Sequence, residues 1–304
     1  MKKSVGKKIK KARECMKDMN TTKKGLASEL GISRSSLYYV SKKVLQDEAL
    51  KKEIKAVMHD HKAYGHRRIA LELGMNKKKV SRVMRVFGLK PKIRRSARPF
   101  KPDDIGKQEL NKENIYLRLC PIRQHIVWAG DFTYFWFYGQ FWYLATVIDV
   151  FTREIVGWHI ANHHTTALIT EAFKDAIKRT DKTPVWFHSD QGSEYVSGGY
   201  EALLTGYNVI PSQSRKASPW QNGFQESFYS NFKLELENIN RFNSVGELIE
   251  AIYQQIDYYN QRRIHTSLKM PPAIFRYVQE QKMTTLAVNQ QFVLFTNNLY
   301  SVMR

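Results

Sequence analysis

The sequence predicts an α/β protein, a mixed sheet covered by helices and preceded by an all-helical region. Two observations carry this reading. Lys and Arg outnumber Asp and Glu by 29 to 8 in residues 1–100 but balance at 20 to 20 in residues 101–304, so the net charge of +21 sits in the first third of the 304-residue chain. Beyond Arg123 the pattern changes from helical spacing to runs rich in Val, Ile, Phe, Tyr and Trp. A hydrophobic content of 42% supplies a sizeable core, and the length suits two or three domains. Cys15 and Cys120 lie far apart in no Cys-x-x-Cys spacing, so neither a disulfide framework nor a structural zinc site is expected. No apolar stretch follows the basic start, and the most apolar region, 126–150, is broken by Asp131, Gly139, Gln140 and Asp149. Neither a signal peptide nor a bilayer span is expected, and a cytoplasmic location is.

The basic region reads as two helix-turn-helix units. The first has helices at Lys7–Met19, Lys24–Leu30 and Arg34–Ser41, with Gly31-Ile32-Ser33 as the turn. Glycine permits a left-handed turn and Ser33 is a good N-cap. Its last helix would present Arg34, Ser35, Ser36 and Tyr38 to phosphates and base edges. The second unit has a helix at Arg67–Leu73, a turn at Gly74-Met75-Asn76 with Asn76 as cap, and a helix at Lys77–Phe87. Val80, Val83, Met84 and Phe87 fall at helical spacing, which leaves Arg67, Arg68, Lys77, Lys78, Lys79, Arg82 and Arg85 for DNA. Three prolines and the cations Lys92, Arg94 and Arg95 make the stretch after Gly88 an extended basic linker, suited equally to tracking a DNA backbone or to tethering two domains. The expected divisions are 1–45 and 46–90 for the two units, 91–122 for the linker, 123–280 for the core and 281–304 for a tail.

The core opens with strands at Ile126–Trp136, Gln140–Val150 and Glu154–Ala161, an antiparallel meander with turns at Gly139-Gln140 and Thr152-Arg153. A helix at Thr166–Lys178, a strand at Pro184–His188, a helix at Gly198–Thr205, a strand at Asn208–Ser212 and a long helix from near Pro219 follow. Three strands and then alternating helix and strand imply an RNase H-like sheet. The aromatic run Trp136, Phe137, Tyr138, Phe141, Trp142 and Tyr143 is expected to pack in the sheet, with stacking on unpaired bases as the alternative. His163-His164, His59-x-His61 and His188 form no zinc spacing.

Three carboxylates stand out. Asp131 lies inside a strongly apolar strand, where a charge needs a partner or a metal. Asp190 ends the fourth strand just before Gly192, and Glu226 sits on the long helix. Such positions can converge at one sheet edge, as two-metal phosphodiester chemistry requires, although a turn aspartate and a solvated helix glutamate would look the same in isolation.

Here the sequence resembles a known family. Thirty-five residues separate Asp190 from Glu226, the interval of the DDE transposases and retroviral integrases. Gly130-Asp131-Phe132-Thr133-Tyr134, His188-Ser189-Asp190-Gln191-Gly192-Ser193-Glu194-Tyr195 and Ser218-Pro219-Trp220-Gln221-Asn222-Gly223 through Glu226 resemble the three catalytic blocks of bacterial insertion-sequence transposases, OrfB type of the insertion-sequence-three family. Lys233, seven residues after Glu226, matches a basic position of that family. Tyr64-Gly65-His66-Arg67-Arg68-Ile69 and Tyr259-Asn260-Gln261-Arg262-Arg263-Ile264-His265 resemble two further family segments, with His66 and Lys269-Met270 as departures. The resemblance implies Asp131, Asp190 and Glu226 as catalytic metal ligands, and two Mg²⁺ ions that Mn²⁺ can replace. It further implies Lys233 on a phosphate, double-stranded DNA as element end and target, and at least a dimer on DNA. Trp220, in a Gly- and Pro-flanked loop at the head of the long helix, is suited equally to leaning on a DNA end or to ordinary loop packing. An upstream-frame partner or fusion, and a nucleoid-associated bacterial location, are implied as well.

Overall fold

A computed structural model describes residues 23–29, 31, 33–35, 42–92, 114, 121–214 and 222–285. The expected helix Lys7–Met19, most of the linker with Arg94 and Arg95, Ser36, Tyr38, Trp220 and the tail beyond 285 lie outside these residues. The basic region contributes α1 (Lys23–Glu29), α2 (Lys42–Asp60), α3 (His66–Glu72) and α4 (Lys77–Val86). Gly31, at φ 62°, makes the left-handed turn expected of it. Asn76 caps α4 by accepting from the Lys78 N–H at 2.8 Å, and Val80, Val83 and Met84 face inward.

Helix α2 was not foreseen. It crosses the expected division at residue 45, so the three helices α2, α3 and α4 form one unit around Leu50, Ile54, Ile69, Ala70, Val80 and Val83. Its sequence, KKVLQDEALKKEIKAVMHD, buries only Asp47, Leu50 and Ile54. A charged helix with so narrow an apolar stripe carries little periodic signal.

The core is a five-stranded sheet in the order β3-β2-β1-β4-β5: β1 (Val127–Phe137), β2 (Gln140–Asp149), β3 (Ile155–Ala161), β4 (Trp186–Ser189) and β5 (Ile210–Gln213). β1, β2 and β3 form the antiparallel meander, while β4 pairs parallel with β1 and β5 parallel with β4. This is the RNase H-like mixed sheet that the sequence implied. Tyr138 and Gly139 both have positive φ and close the β1–β2 hairpin as a tight two-residue turn. Asp149, fully buried, closes the next turn by accepting from the N–H groups of His125, Phe151 and Thr152 and from the Thr152 hydroxyl.

Two helical layers cover the sheet. On one face lie α5 (Thr166–Thr180) and α6 (Gly198–Gly206), packed through Leu168, Ile169, Phe173 and Leu204 onto Trp128, Val147 and Phe187. α5 comes so close to β3 that a Cβ on Gly157 would stand 2.5 Å from the Ala172 carbonyl, which makes glycine obligatory there. On the other face lie α7 (Gly223–Leu236) and α8 (Val245–Gln261), packed through Phe228, Phe232, Ile252 and Ile256 onto Val127, Ala129, Phe135 and Ile148. Residues 272–285 form a further helix, α9, which runs across the expected limit at 280.

The aromatic hairpin departs from expectation. Phe135 and Phe137 are buried, but Tyr134, Trp136 and Tyr138 are more than half exposed and Phe141 is also exposed. The alternation of β1 puts residues 134 and 136 on the face that carries Trp128, and the layer that buries Trp128 leaves the hairpin tip uncovered.

Candidate active site and nucleic-acid interface

Asp131 and Glu226 line one open depression of about 380 Å³ together with Tyr229, Ser230 and Lys233. Asp131 comes from the middle of β1, where the strand passes beyond its pairing with β4, and Glu226 from the first turn of α7. Asp190 follows β4 directly, and its carboxylate accepts from the Gly192 N–H at 3.0 Å. It stands beside Asp131 but does not line that depression. Among the described residues no three acidic, His or Cys side chains enclose a metal-sized space as they stand.

The electrostatics couple these groups. Burial, reinforced by the Asp190 carboxylate and less by Glu226, pushes Asp131 up to about 7, against the hydrogen bond it accepts from the Phe132 N–H at 2.8 Å. Asp190 is also raised, by burial first and then by Glu194, with the Gly192 N–H opposing. Asp149, the other carboxylate in these strands, already accepts four hydrogen bonds, three from its own turn and one from the His125 N–H. Asp131 is thus the carboxylate of these strands whose charge burial and its acidic neighbours oppose.

The side chains that fix this geometry were not singled out from the sequence. Gln225, fully buried, donates to the Ala129 carbonyl at 2.6 Å and to the Thr146 carbonyl at 3.1 Å, and accepts from the Thr146 hydroxyl at 3.0 Å. Tyr229 donates to the Asp131 carbonyl at 2.7 Å. Asn222 reaches the Gly130 carbonyl at 3.4 Å. Helix α7 is thus hydrogen-bonded to the backbone on either side of Asp131, and Glu226 follows directly after one of those contacts. A legible signal existed: Gln225 begins the otherwise apolar stripe Phe228, Tyr229, Phe232, Leu236. Gly130 is a second such residue, because a Cβ there would meet the Phe187 ring at 2.4 Å.

Lys233 lies in the same depression and donates to the Tyr134 carbonyl at 3.1 Å, so it shares the Glu226 side of α7 as the seven-residue spacing requires. A cavity of about 790 Å³ lies elsewhere, between β3, α8 and α9, and includes none of the three carboxylates.

The basic residues separate into two groups. Arg34, Ser35, Arg67, Lys77, Lys78, Lys79 and Arg85 are exposed. Arg82 instead makes two hydrogen bonds of 2.5 Å to Asp47 and joins α4 to α2. Lys92 pairs with Glu237 of the core at 2.9 Å, as does Lys62. Arg68 points into the seam between the basic unit and the core, where burial lowers its pKa. Arg68, Arg82 and Lys92 therefore serve packing and docking in this conformation. His61 meets the Tyr258 hydroxyl at 2.7 Å, and the Tyr64 hydroxyl accepts from the Ile264 N–H at 2.6 Å, which completes the seam.

The chain is similar to known families and proteins. Models described as Integrase core domain match residues 122–219 and 207–272, and one described as HTH-like domain matches residues 45–97. The transposase for insertion sequence element IS904 of Lactococcus lactis subsp. lactis is 34% identical over 248 residues, covering 78% of this chain and 97% of that protein. The putative transposase InsK for insertion sequence element IS150 of Escherichia coli K12 is 30% identical over 250 residues, covering 78% and 87%. Among solved structures, the HTLV-2 integrase catalytic core domain in complex with magnesium is similar at 19% identity and a TM-score of 0.43, over 51% of this chain and 98% of that one. The match to whole relatives, on a sheet and helical region of the expected kind, leads to one conclusion: the chain belongs to the insertion-sequence DNA transposases, enzymes with an integrase core behind a helix-turn-helix-like region.

Proposed function

We propose that Asp131, Asp190 and Glu226 form a DDE site that cleaves DNA at the ends of a mobile element and joins the freed 3′ end to target DNA. The observation that carries this reading is the buried Asp131 carboxyl, raised to about 7, which faces Glu226 across an open depression with Asp190 at its side. The donor set supports a hard divalent cation, because it is made of carboxylate oxygens and needs neither His nor Cys. When bound, two Mg²⁺ ions, or Mn²⁺ in their place, would activate the attacking oxygen and neutralise the leaving one.

The chain's own groups supply position and charge. Gln225 and Tyr229 hold Glu226 against the strand that carries Asp131. Lys233 lies close enough to orient a DNA phosphate in the same depression. In the first step water attacks the phosphodiester at the element end and a 3′-hydroxyl leaves. In the second that hydroxyl attacks a target phosphodiester, one P–O bond forms as another breaks, and no covalent protein intermediate arises.

The exposed cations Arg67, Lys77, Lys78, Lys79 and Arg85, with Arg34 and Ser35 of the first unit, would bind the terminal inverted repeats. Residues 46–90, extended back to include all of α2, would act as one DNA-binding body, with the residues before α2 as a second, 91–122 as linker and 123–280 as the catalytic domain. Joining two ends in concert calls for at least a dimer, and a protein from an upstream frame would contribute further DNA-binding segments. The test is cleavage and joining of labelled oligonucleotides bearing the element ends, in Mg²⁺ or Mn²⁺, for the native chain and Glu226→Gln. Joined products from the native chain alone, with DNA binding retained by both, support the reading. Binding without chemistry in either protein, even with the upstream-frame partner present, overturns it.

A further inference from the structure

The rings at the tip of the β1–β2 hairpin are exposed and form a continuous strip. The strand register places Trp136 opposite Phe141 and Tyr134 opposite Tyr143. Ring centroids are 4.7 Å apart in the first pair and 6.3 Å in the second, and Tyr134 meets Phe141 across the diagonal at 5.4 Å. Tyr143 continues the contacts to His164 at 4.9 Å, and His164 lies parallel to Phe132 at 6.2 Å. Trp136 and Tyr134 are each 56% exposed and Phe141 is 41% exposed, whereas Phe135 and Phe137, on the other face of β1, are buried.

The strip touches the candidate active site twice. At its inner end His164 Nδ1 meets a carboxylate oxygen of Glu194 at 2.8 Å, in the loop that follows Asp190. Along its length Lys233, which lines the depression of Asp131 and Glu226, donates to the Tyr134 carbonyl, and its ammonium stands 5.3 Å from the Tyr134 ring. We propose that the strip is a stacking platform for unpaired bases of the DNA substrate, beside the carboxylate site. A row of exposed rings with an ammonium alongside offers a π face to any base and a positive charge to the backbone that carries it. The area argues against a second copy of the chain as the occupant. Aromatic side chains present about 150–250 Å² each, so the exposed part of Tyr134, Trp136 and Phe141 comes to roughly 300 Å². Each partner of a stable protein interface contributes about 800 Å². The placement of the strip next to the chemistry rests on the DDE reading, whereas its affinity for bases can be measured without any chemistry.

The test compares the full native chain with Trp136→Ala, Trp136→Phe and a double variant, Tyr134→Ala with Trp136→Ala. Two duplexes of one sequence serve as probes, one blunt and one ending in a short single-stranded thymine tail that carries a fluorescent aminopurine base. Both are titrated at one salt concentration and without divalent metal, so that no cleavage intervenes. The native chain should bind the tailed duplex about tenfold more tightly than the blunt one and quench the aminopurine. Trp136→Ala should lose most of that preference and of the quenching, while Trp136→Phe keeps much of both. Affinity for the blunt duplex and the thermal unfolding midpoint should stay native in all variants, because the substituted rings are exposed. A tail preference that survives in the double variant would come from the added phosphates alone and would overturn the proposal. A native chain that shows no preference overturns it as well. Loss of self-association in Trp136→Ala, followed by sedimentation, with the tail preference intact would assign the strip to a second copy instead. The DDE reading stands or falls on strand joining, which these titrations do not measure, so the two failures are told apart.

Discussion

Replacing Gln225 by Leu tests whether the hydrogen bonds of α7, rather than its apolar packing alone, hold Glu226 in place. The side chain is fully buried and makes three hydrogen bonds, to the Ala129 carbonyl, the Thr146 carbonyl and the Thr146 hydroxyl. Each is worth about 1 kcal/mol net, so their loss costs about 3 kcal/mol. Leucine is of similar size and regains about 1 kcal/mol through added apolar burial. The balance is a destabilisation of about 2 kcal/mol, against a total stability of about 5–15 kcal/mol for a folded protein. The Thr146 hydroxyl keeps its contact with the Tyr229 hydroxyl at 2.8 Å, which limits the loss. Urea unfolding followed by circular dichroism is the assay, and a midpoint lowered by about 1 M is expected for a slope of about 2 kcal/mol/M. Strand joining per folded molecule should fall as well, since Glu226 is the next residue. A loss of stability below about 0.5 kcal/mol with normal joining would show that packing of Phe228 and Phe232 suffices to place the helix.

Other outcomes follow from the same structure. Gly130→Ala brings a Cβ to within 2.4 Å of the Phe187 ring, so unfolding should become easier by about 1–3 kcal/mol in calorimetry, with the site beside it displaced. Glu237 is held down at about 2, chiefly by its hydrogen bonds from Lys62 and Lys92. Its depressed pKa means that the stability it contributes is full above the usual carboxylate value near 4.5 and is lost as pH falls through about 2. The difference in midpoint between native and Glu237→Gln should vanish over that window. His265 is lowered to about 4, so between about 6.5 and 4 the unfolded chain binds a proton that the folded chain refuses. Stability should fall by up to roughly 3 kcal/mol across that interval, and His265→Gln should flatten the profile.

Much of the fold could be read from local pattern. The seven core segments from β1 to β5 appeared within about two residues of their expected limits, because alternating β-branched and aromatic runs bounded by turn residues are a local signal. The cap at Asn76 and the left-handed Gly31 were legible for the same reason. Asp131 was conspicuous as a charge in an apolar strand, and Asp190 and Glu226 stood out through their spacing. Helices α2 and α8 were not identified, and for α2 the cause is a surface so charged that only Leu50 and Ile54 of its apolar residues are fully buried.

The sequence by itself determined that a basic helical region precedes a mixed α/β core, and it pointed to three carboxylates. What only the tertiary structure decided is where each side chain spends its charge. Arg67 and Arg68 are neighbours in one basic run, yet Arg67 is exposed while Arg68 enters a seam with Arg153 and Arg263, residues 85 and 195 positions away. Arg82 looks as available as Lys79 until α2 places Asp47 against it. Gln225 reads as one more polar helix residue until β1 and β2 bring it two carbonyls. Hydrogen bonding and charge pairing depend on distances of a few ångströms between segments remote in the chain, and local sequence pattern carries no record of those distances.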